Sequence, residues 1–266
     1  MDVKVEIIDN NQTRIHLDGQ QYIVPSHWFW PQFEQNWEPQ TFEFFKRNLI
    51  KDTHFLDIGA WVGPTALIAT RLGARSLTLV EPNPINFLKL LETQFANDNF
   101  LNSWTILNIC LSDSRGFATI GPLDGVFNAS SATNIRGHSG VQVMSVVAED
   151  LLRSGERYSL IKIDIEGAEE RMVKDLHKFE STEAAIWLSL HPPFMMDKAN
   201  FFANLFALSG DFYLTDQNNS LMDWSVLKEQ VLSDEQYPKF GTKWGNFFEV
   251  GLLPKRIFSD IGIRYS

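Results

Sequence analysis

Short apolar segments alternate with amphipathic ones through most of the chain. The segments HFLDIG, SLTLVE, SLIKIDI and AAIWLSL are rich in β-branched and large apolar residues and are typical of buried strands. Segments with helical spacing lie between them; Pro64 and Pro84 each open one, and Asn83 caps the second. Strands that alternate with helices predict an α/β fold with a mainly parallel sheet and right-handed crossovers. On the helix that Pro84 opens, the expected buried stripe is Ile85, Leu88, Leu91 and Phe95.

The pattern changes near the two ends of the chain. VKVEI alternates apolar and polar residues, and LDGQ (Leu17–Gln20) is typical of a hairpin turn between TRIH and YIVP. We therefore predict an N-terminal β-hairpin extension over residues 1–36 and a main domain over residues 37–266. In that domain WTILNIC is predicted as the third strand of the main sheet and NFFEVGLL as its last.

Side chains that can carry chemistry stand at the ends of the predicted strands. They are Asp57, Glu81, Cys110, Asp164 and His191. Ligands of open parallel sheets bind at the carboxyl ends of the strands, where the strand order reverses. We therefore expect these side chains to lie around one ligand site.

The motif DIGAWVG follows the first strand of the main sheet. Gly59 and Gly63 let the chain turn sharply and let a ligand approach the main chain. The spacing D-x-G-x-x-x-G differs from the dinucleotide fingerprint G-x-G-x-x-G, and Asp57 would repel a pyrophosphate but attract a cationic, amine-bearing ligand. The motif therefore counts against a nicotinamide-dependent oxidoreductase. An ordinary βα turn is the alternative for this motif alone.

Two further acidic motifs follow later strands. Glu81 ends LVE, and a carboxylate at that strand tip can accept two hydrogen bonds from a ribose diol. Asp164 and Glu166 in KIDIEGAE flank a single residue, so both can point into the cleft. Each acid also has a simpler interpretation, as a carboxylate near a helix N-terminus that the helix dipole favours.

Composition narrows the class of protein. The chain has 266 residues, 44% of them hydrophobic, which is enough for a large core. Its net charge of -10 disfavours broad binding to nucleic-acid phosphates. Cys110 is the single cysteine, so we expect neither an intrachain disulfide nor a cysteine-rich zinc site. The N-terminus lacks a signal-peptide pattern and no run of about 18 apolar residues occurs, so we expect a cytoplasmic protein without a membrane span.

Four motifs together, FLDIGAWVG, LVEPNP, CLSDSRG and IKIDIEGAE, resemble the FkbM family of S-adenosylmethionine-dependent methyltransferases. The resemblance covers about residues 37 to 191. It implies the Rossmann-like class I methyltransferase fold, a mainly parallel seven-stranded sheet with helices on both faces. It also implies S-adenosylmethionine as cofactor and O-methylation of a small-molecule or glycan acceptor, such as a sugar or a natural product.

The resemblance also implies a cofactor pocket built from three strand ends. The residues expected at the methionine part are Asp57, Gly59, Ala60, Trp61 and Gly63, with Ala60 and Trp61 lending backbone amides. Those expected at the ribose and adenine are Glu81, Pro82, Asn83, Cys110 and Leu111, with Glu81 on the ribose hydroxyls. Asp164 is expected beside the reactive methyl. The family commonly has alanine where Cys110 stands, so we expect a small buried side chain there and no reactive thiol.

Methyl transfer to a hydroxyl needs a group that accepts the hydroxyl proton. His191 is our first candidate, because its predicted strand end lies beside that of Asp164 and histidine has an unperturbed pKa of about 6.5. A structural histidine is the alternative. Asp164 is the second candidate base, or the group that orients His191. The two could share a divalent ion, but two ligands make a weak metal site, so we predict no metal.

Other features of the sequence are less specific. The aromatic stretch HWFWPQFEQNW (His27–Trp37) is expected to be a core ridge, with a substrate wall as the alternative. His138 is expected to be a solvated loop histidine, and the segment 216–244, which contains Trp224, is a candidate lid over the acceptor. A non-catalytic domain that binds S-adenosylmethionine or a partner protein is the alternative function.

Overall fold

The computed structural model describes residues 1–35, 37–101, 103–122, 133–135, 140–153, 155–166, 168–233 and 247–258. The strands in these ranges are β1 (Val3–Ile7), β2 (Gln12–Leu17), β3 (Gln20–Pro25), β4 (His54–Ile58), β5 (Ser76–Val80), β6 (Trp104–Leu107), β7 (Ile109–Leu111), β8 (Gly116–Pro122), β9 (Thr133–Ile135), β10 (Val141–Val146), β11 (Tyr158–Ile163), β12 (Ala185–Leu190), β13 (Phe212–Thr215) and β14 (Phe248–Pro254).

The helices in the same ranges are α1 (Trp30–Glu34), α2 (Pro39–Asn48), α3 (Pro64–Leu72), α4 (Pro84–Ala96), α5 (Asp98–Leu101), α6 (Ala148–Leu151), α7 (Glu169–Met172), α8 (Leu176–Glu180), α9 (Lys198–Phe206), α10 (Trp224–Leu232) and α11 (Lys255–Phe258). Short 3₁₀ turns at Val173–Asp175, Pro192–Phe194 and Ala207–Gly210 join some of them. Among the described residues, none of these helices has the length and apolar character needed to span a bilayer.

Seven strands form the main sheet, in the order β13-β14-β12-β11-β4-β5-β6. From β12 to β6 all neighbours are parallel, whereas β14 runs antiparallel to both β12 and β13. The predicted mainly parallel seven-stranded sheet is therefore confirmed. The strand order reverses between β4 and β11, so the carboxyl ends of β5, β4, β11 and β12 lie side by side at the position where such sheets bind ligands.

Apolar side chains pack on both faces of the main sheet. Phe55 in β4 joins the core under α1 to α4, and the next residue, Leu56, joins the opposite core under α8, α9 and α10. Neighbouring residues of a strand point to opposite faces, and both of these side chains are fully buried. A central strand covered on both faces therefore has an almost continuous apolar sequence, which is the pattern that predicted it.

The N-terminal residues form a separate antiparallel sheet in the order β1-β2-β3. The predicted turn at Leu17–Gln20 is confirmed, since it joins β2 to β3. The extension contains one strand more than the expected hairpin, because β1 pairs along the full length of VKVEI with β2. Ile15 and Tyr22 from this sheet belong to the same core as Phe55, so the extension packs on the main sheet.

Helix α4 exposes part of the stripe that we expected it to bury. Leu88 and Phe95 are exposed to solvent. The buried residues of α4 are instead Asn86, Leu90 and Thr93. Directly after the helix, Asn97 accepts a hydrogen bond from the amide of Ile23 at 2.8 Å and donates one to its carbonyl oxygen at 2.6 Å. The face that α4 turns inward is therefore more polar than expected, and the predicted stripe was wrong at Leu88 and Phe95, whereas Ile85 and Leu91 are partly buried.

The segment WTILNIC does not form the single strand that we predicted. Strand β6 ends in the main sheet, and after Asn108 the chain enters a second sheet with the order β7-β10-β8-β9. The Asn108 side chain donates to the carbonyl oxygens of Glu81 and Pro82, each at 2.9 Å, and thereby fixes the chain at this break. Cys110 therefore does not stand at the end of a main-sheet strand, and its buried thiol belongs to the core of the second sheet.

Candidate functional site

Most of the predicted strand-end residues meet at the carboxyl end of the main sheet. Asp57 lies in β4 one residue before its end, Glu81 follows β5, Asp164 follows β11 and His191 follows β12. These strands are parallel neighbours, so the four residues share one end of the sheet. Cys110 and Leu111 are the exceptions, since both lie in β7 of the second sheet.

Gly59 allows the loop after β4 to pack against the loop after β11. Its φ of 86° is in the left-handed region, and a Cβ there would lie 1.8 Å from the carbonyl oxygen of Asp164. The amide of Asp164 in turn donates to the carbonyl oxygen of Ile58 at 2.9 Å. Only glycine permits this approach. Gly63 also has a positive φ, 91°, and a Cβ there would lie 2.9 Å from the side chain of Leu90.

Glu81 is 4% exposed, and both of its carboxylate oxygens accept hydrogen bonds from the main chain. The amide of Trp61 donates to Oε2 at 2.8 Å, and the amide of Asn83 donates to Oε1 at 2.7 Å. Burial raises the pKa of Glu81 to about 8, although these hydrogen bonds lower it. The amide of Ala60 donates to the carbonyl oxygen of Val80 at 3.1 Å. The two amides expected to serve the cofactor thus have partners within the chain. The Asn86 side chain also donates to Glu81, and a carboxylate with three donors can accept a further hydrogen bond.

Lys162 is a buried cation between two acids of the site, and the sequence analysis missed it. Its Nζ lies 3.1 Å from Oδ2 of Asp164 and 3.9 Å from Oδ1 of Asp57. Burial lowers the pKa of Lys162, but the two carboxylates raise it by more, so the amine stays charged. The signal in the sequence was the single charged residue of the buried strand β11, between Ile161 and Ile163.

Asp57 is fully buried at the centre of the site. The hydroxyl of Thr65 donates to its Oδ2 at 2.6 Å, and Oδ1 has no hydrogen-bond partner among the described residues. Burial raises the pKa of Asp57 to about 6, against the effects of Lys162 and Thr65. The Oδ1 atom therefore has unused capacity for a hydrogen-bond donor.

His191 lies among three carboxylates and is 3% exposed. Its Nδ1 is 3.0 Å from Oε1 of Glu169, and its Nε2 is 3.5 Å from Oε2 of Glu166 and 3.7 Å from Oδ1 of Asp164. Burial lowers the pKa of His191, but Glu169 and Glu166 raise it by more, to about 10. The imidazole is then protonated at neutral pH, so this arrangement does not favour its predicted role as a general base.

Glu166 extends this cluster beyond the two residues that we considered for a metal ion. Its φ of 55° is in the left-handed region, which is uncommon for a residue other than glycine. One potential ligand atom each from Asp164, Glu166 and His191 lie within 4.8 Å of one another. The cluster therefore offers two carboxylates and one imidazole nitrogen to a cation.

Glu38, directly before α2, and Glu249 in β14 add two carboxyl groups to the site. The Thr41 hydroxyl lies 3.1 Å from Oε2 of Glu38 and 3.0 Å from Oε1 of Glu249, and Gln40 donates to Glu249 at 2.9 Å. Burial is the main cause that raises the pKa of both acids, and repulsion by Asp164 adds to it. The sequence analysis missed this pair, because no local pattern indicates that residues so far apart share one site.

The less specific predictions have different outcomes. The core ridge is confirmed, since Phe29, Trp30 and Phe33 are buried. Trp28 is half-exposed and its ring centroid lies 6.0 Å from that of Trp61. His138 lies outside the described residues. The part of the candidate lid after residue 233 also lies outside them; before it the segment forms α10.

Comparisons with protein-family models and with curated proteins find no match to this chain. Among solved structures, a candidate rRNA methylase from Clostridium thermocellum matches 81% of this chain and 94% of its own, with 7% identity and a TM-score of 0.50. A methyltransferase FkbM from Methylobacillus flagellatus matches 76% of this chain with 14% identity and a TM-score of 0.48. This chain spans 44% of the length of that FkbM chain.

A further match is a candidate methyltransferase from Streptococcus mutans in complex with SAH, over 81% of this chain and 96% of its own, with 8% identity and a TM-score of 0.48. Identities this low say nothing of substrates and bear on the fold alone. The likeness to the Clostridium thermocellum structure covers most of both chains, and this chain has the mainly parallel seven-stranded sheet described above. The chain therefore has the Rossmann-like fold of class I methyltransferases, as the sequence predicts.

Proposed function

We propose that this protein is an S-adenosylmethionine-dependent methyltransferase. One observation carries the proposal: Asp57, Glu81 and Asp164 stand at the carboxyl ends of three neighbouring parallel strands, around a glycine loop. A ligand that lies across these ends meets a carboxylate at each strand. The cofactor has a cationic ammonium group, a cationic sulfonium and a ribose diol, and carboxylates favour all three.

The residues present fit the cofactor. Asp57 is a buried acid directly behind the glycine loop, and its Oδ1 has no hydrogen bond among the described residues, which adds negative potential at the methionine end. We assign Asp57, Gly59, Ala60, Trp61 and Gly63 to the methionine part and Glu81 to the ribose. Pro82 and Asn83 are assigned to the adenine side, and Asn108 replaces Cys110 and Leu111 there because it contacts Pro82 directly.

The cofactor supplies an electrophilic methyl group, and the chain must align the acceptor hydroxyl with it. We propose that Asp164 accepts the hydrogen bond of that hydroxyl, since its side chain is partly exposed at the site. Lys162 holds one of its oxygens in place at 3.1 Å. Both nitrogens of His191 face carboxylates, so we propose that His191 positions Asp164 and the acceptor. Orientation of this kind supplies about 7–11 kcal/mol in the best cases.

We propose that the acceptor is a hydroxyl group on a sugar or natural product. We also propose that the chain belongs to the FkbM family. Both rest on the motifs FLDIGAWVG, LVEPNP and IKIDIEGAE. The half-exposed indole of Trp28, next to Trp61, adds an apolar surface on which a sugar ring or a planar molecule can pack.

Calorimetric titration with S-adenosylhomocysteine tests this proposal. We expect micromolar binding to the wild type, no binding of NADH, and a loss of about tenfold or more in Glu81→Ala, which removes the side chain assigned to the ribose hydroxyls. Glu81 also holds the amides of Trp61 and Asn83, so Glu81→Ala could disturb the loop itself. Asp57→Asn is therefore measured as a second variant, and circular dichroism checks that each variant is folded.

No binding by folded wild-type protein would refute the methyltransferase proposal. Binding without methyl transfer to any of a panel of sugars and polyketides would favour the non-catalytic alternative. Glu92→Gln is the matched control, because Glu92 is an exposed acid on α4. It is expected to bind as the wild type does.

A further inference from the structure

We infer that Asp164, Glu166 and His191 form a binding site for a divalent metal ion. Each offers one ligand atom, and the three atoms lie within 4.8 Å of one another. The sequence analysis placed Glu166 in the cleft but did not count it as a metal ligand, and it turns a pair of ligands into a set of three. The ion itself is independent of the methyltransferase proposal; only its role in the reaction rests on that proposed function.

The distances in the cluster suit a small ion. Nε2 of His191 lies 3.5 Å from Oε2 of Glu166 and 3.7 Å from Oδ1 of Asp164. Adjacent ligands of an octahedral ion with bonds of about 2.0–2.2 Å lie about 3 Å apart. The two carboxylate oxygens therefore need to approach Nε2 by well under an ångström to bind one ion together.

The histidine is oriented as metal-binding histidines are. Its Nδ1 is hydrogen-bonded at 3.0 Å to Glu169, which is fully buried. A ligating histidine almost always gives its second ring N–H to such a carboxylate or carbonyl group. Nε2 is thereby aimed at the two acids, 3.5 Å from Glu166 and 3.7 Å from Asp164.

The two oxygens of Asp164 face different partners. Oδ2 lies 3.1 Å from Nζ of Lys162, whereas Oδ1 faces His191. An ion at Oδ1 therefore leaves the contact with Lys162 intact. Glu166 and the Oδ1 atom of Asp164 give an ion two carboxylate ligands, while Lys162 balances the charge at Oδ2 of Asp164.

The backbone of Glu166 gives the cluster its third member. A left-handed φ of 55° is unfavourable for a residue with a Cβ, and such strain is concentrated at functional sites. The strained residue places Oε2 3.5 Å from His191. A nitrogen and two oxygens suit a first-row ion such as Mn²⁺ better than Ca²⁺, which prefers six to eight oxygens.

An ion at this position would lie beside Asp164, where we place the acceptor hydroxyl. It would bind the hydroxyl oxygen and favour loss of its proton. The alternative to a bound metal ion is a protonated His191, whose imidazolium itself pairs with the acids. The two differ in whether a metal binds in the absence of cofactor and acceptor.

The test is a titration of the full chain with Mn²⁺ in the absence of cofactor and acceptor. The electron paramagnetic resonance signal of the free ion measures how much Mn²⁺ is bound. We expect one tight ion per chain. Glu166→Gln is expected to weaken it about tenfold or more, and Glu169→Gln, which keeps an acceptor for Nδ1, by less. Glu92→Gln, the same change at an exposed acid on α4, is expected to have no effect.

A second readout is the broadening of the His191 ring signals by Mn²⁺ in nuclear magnetic resonance, which a remote ion would not cause. Failure of folded wild-type protein to bind Mn²⁺ would overturn the inference. So would one bound ion that Glu166→Gln leaves unchanged. Because S-adenosylhomocysteine binding is measured separately, loss of the metal site would leave the methyltransferase proposal standing, and the reverse also holds.

Discussion

Replacement of Lys162 by methionine tests the electrostatic centre of the site. Lys162 is buried, 3.1 Å from Asp164 and 3.9 Å from Asp57, so the change leaves two carboxylates without their cation. Breaking a buried ion pair from one side costs about 3–5 kcal/mol. Methionine is similar in length and apolar, so little of the loss will come from packing. We expect Lys162→Met to lower the free energy of unfolding by about that amount at pH 8.

The pH dependence of this loss identifies its cause. Burial raises the pKa of Asp57 to about 6 from an ordinary value of 3.8, and Lys162 opposes the shift. Without Lys162 that pKa rises further. A carboxyl group that keeps its proton in the folded state to higher pH than in the unfolded state makes stability fall as pH rises between the two pKa values. In Lys162→Met this window extends above pH 6, so the loss will be smaller at pH 5 than at pH 8.

Urea unfolding at pH 5 and pH 8 measures both effects. A cycle of Lys162→Met, Asp57→Asn and the double variant separates the charge from other consequences. If the lysine neutralises Asp57, the double variant will be more stable than the sum of the single changes predicts, by about 0.5–3 kcal/mol. An equal loss at both pH values, with additive single changes, would refute the argument that Lys162 neutralises Asp57 and leave Asp164 as its ion-pair partner.

Two further variants test single steps of the structural argument. Gly59→Ala is expected to lower the melting temperature and weaken S-adenosylhomocysteine binding, because its Cβ would lie 1.8 Å from the carbonyl oxygen of Asp164. Gly19→Ala is the control: its φ is 84° but the space around it is open, so it should lower the free energy of unfolding by only about 1 kcal/mol. Equal effects of the two variants would count against the loop packing. Burial lowers the pKa of His54 to about 4, so its contribution to stability is present above its ordinary pKa of 6.5 and is lost as pH falls towards 4. In His54→Gln the urea midpoint should therefore depend less on pH between pH 4 and 6.5. An unchanged pH dependence would contradict this.

The sequence predicted those site residues whose place in the fold depends on a single strand. A strand buried on both faces is a short apolar run, and the residue after it stands at the end of the sheet, which located Glu81, Asp164 and His191. The same rule failed at WTILNIC, since an apolar run does not show where the chain leaves one sheet for another. The one signal there was Asn108, whose amide bridges two carbonyl groups of the neighbouring strand end.

Contacts between distant parts of the chain account for the other errors. The inward face of α4 depends on the hydrogen bonds between Asn97 and Ile23, which belong to different parts of the chain. The pair of Glu38 and Glu249 meets through Thr41 and the indole nitrogen of Trp187, which donates to Glu249 at 3.0 Å. Helical and strand periodicities describe one element at a time, so they contain no information on such pairings.

The charges at the end of the sheet connect the fold to the proposed activity. A buried ion pair is often no more stable than apolar residues of the same volume, so stability alone does not explain why β4 and β11 place Asp57, Lys162 and Asp164 inside. Glu166 and Glu169 add further negative charge beside His191, which increases the cost of folding without a ligand. A cationic ligand reduces that cost because it binds the folded chain and not the unfolded one. A sulfonium and an ammonium group, or a divalent ion, meet this requirement, whereas a pyrophosphate would increase the repulsion.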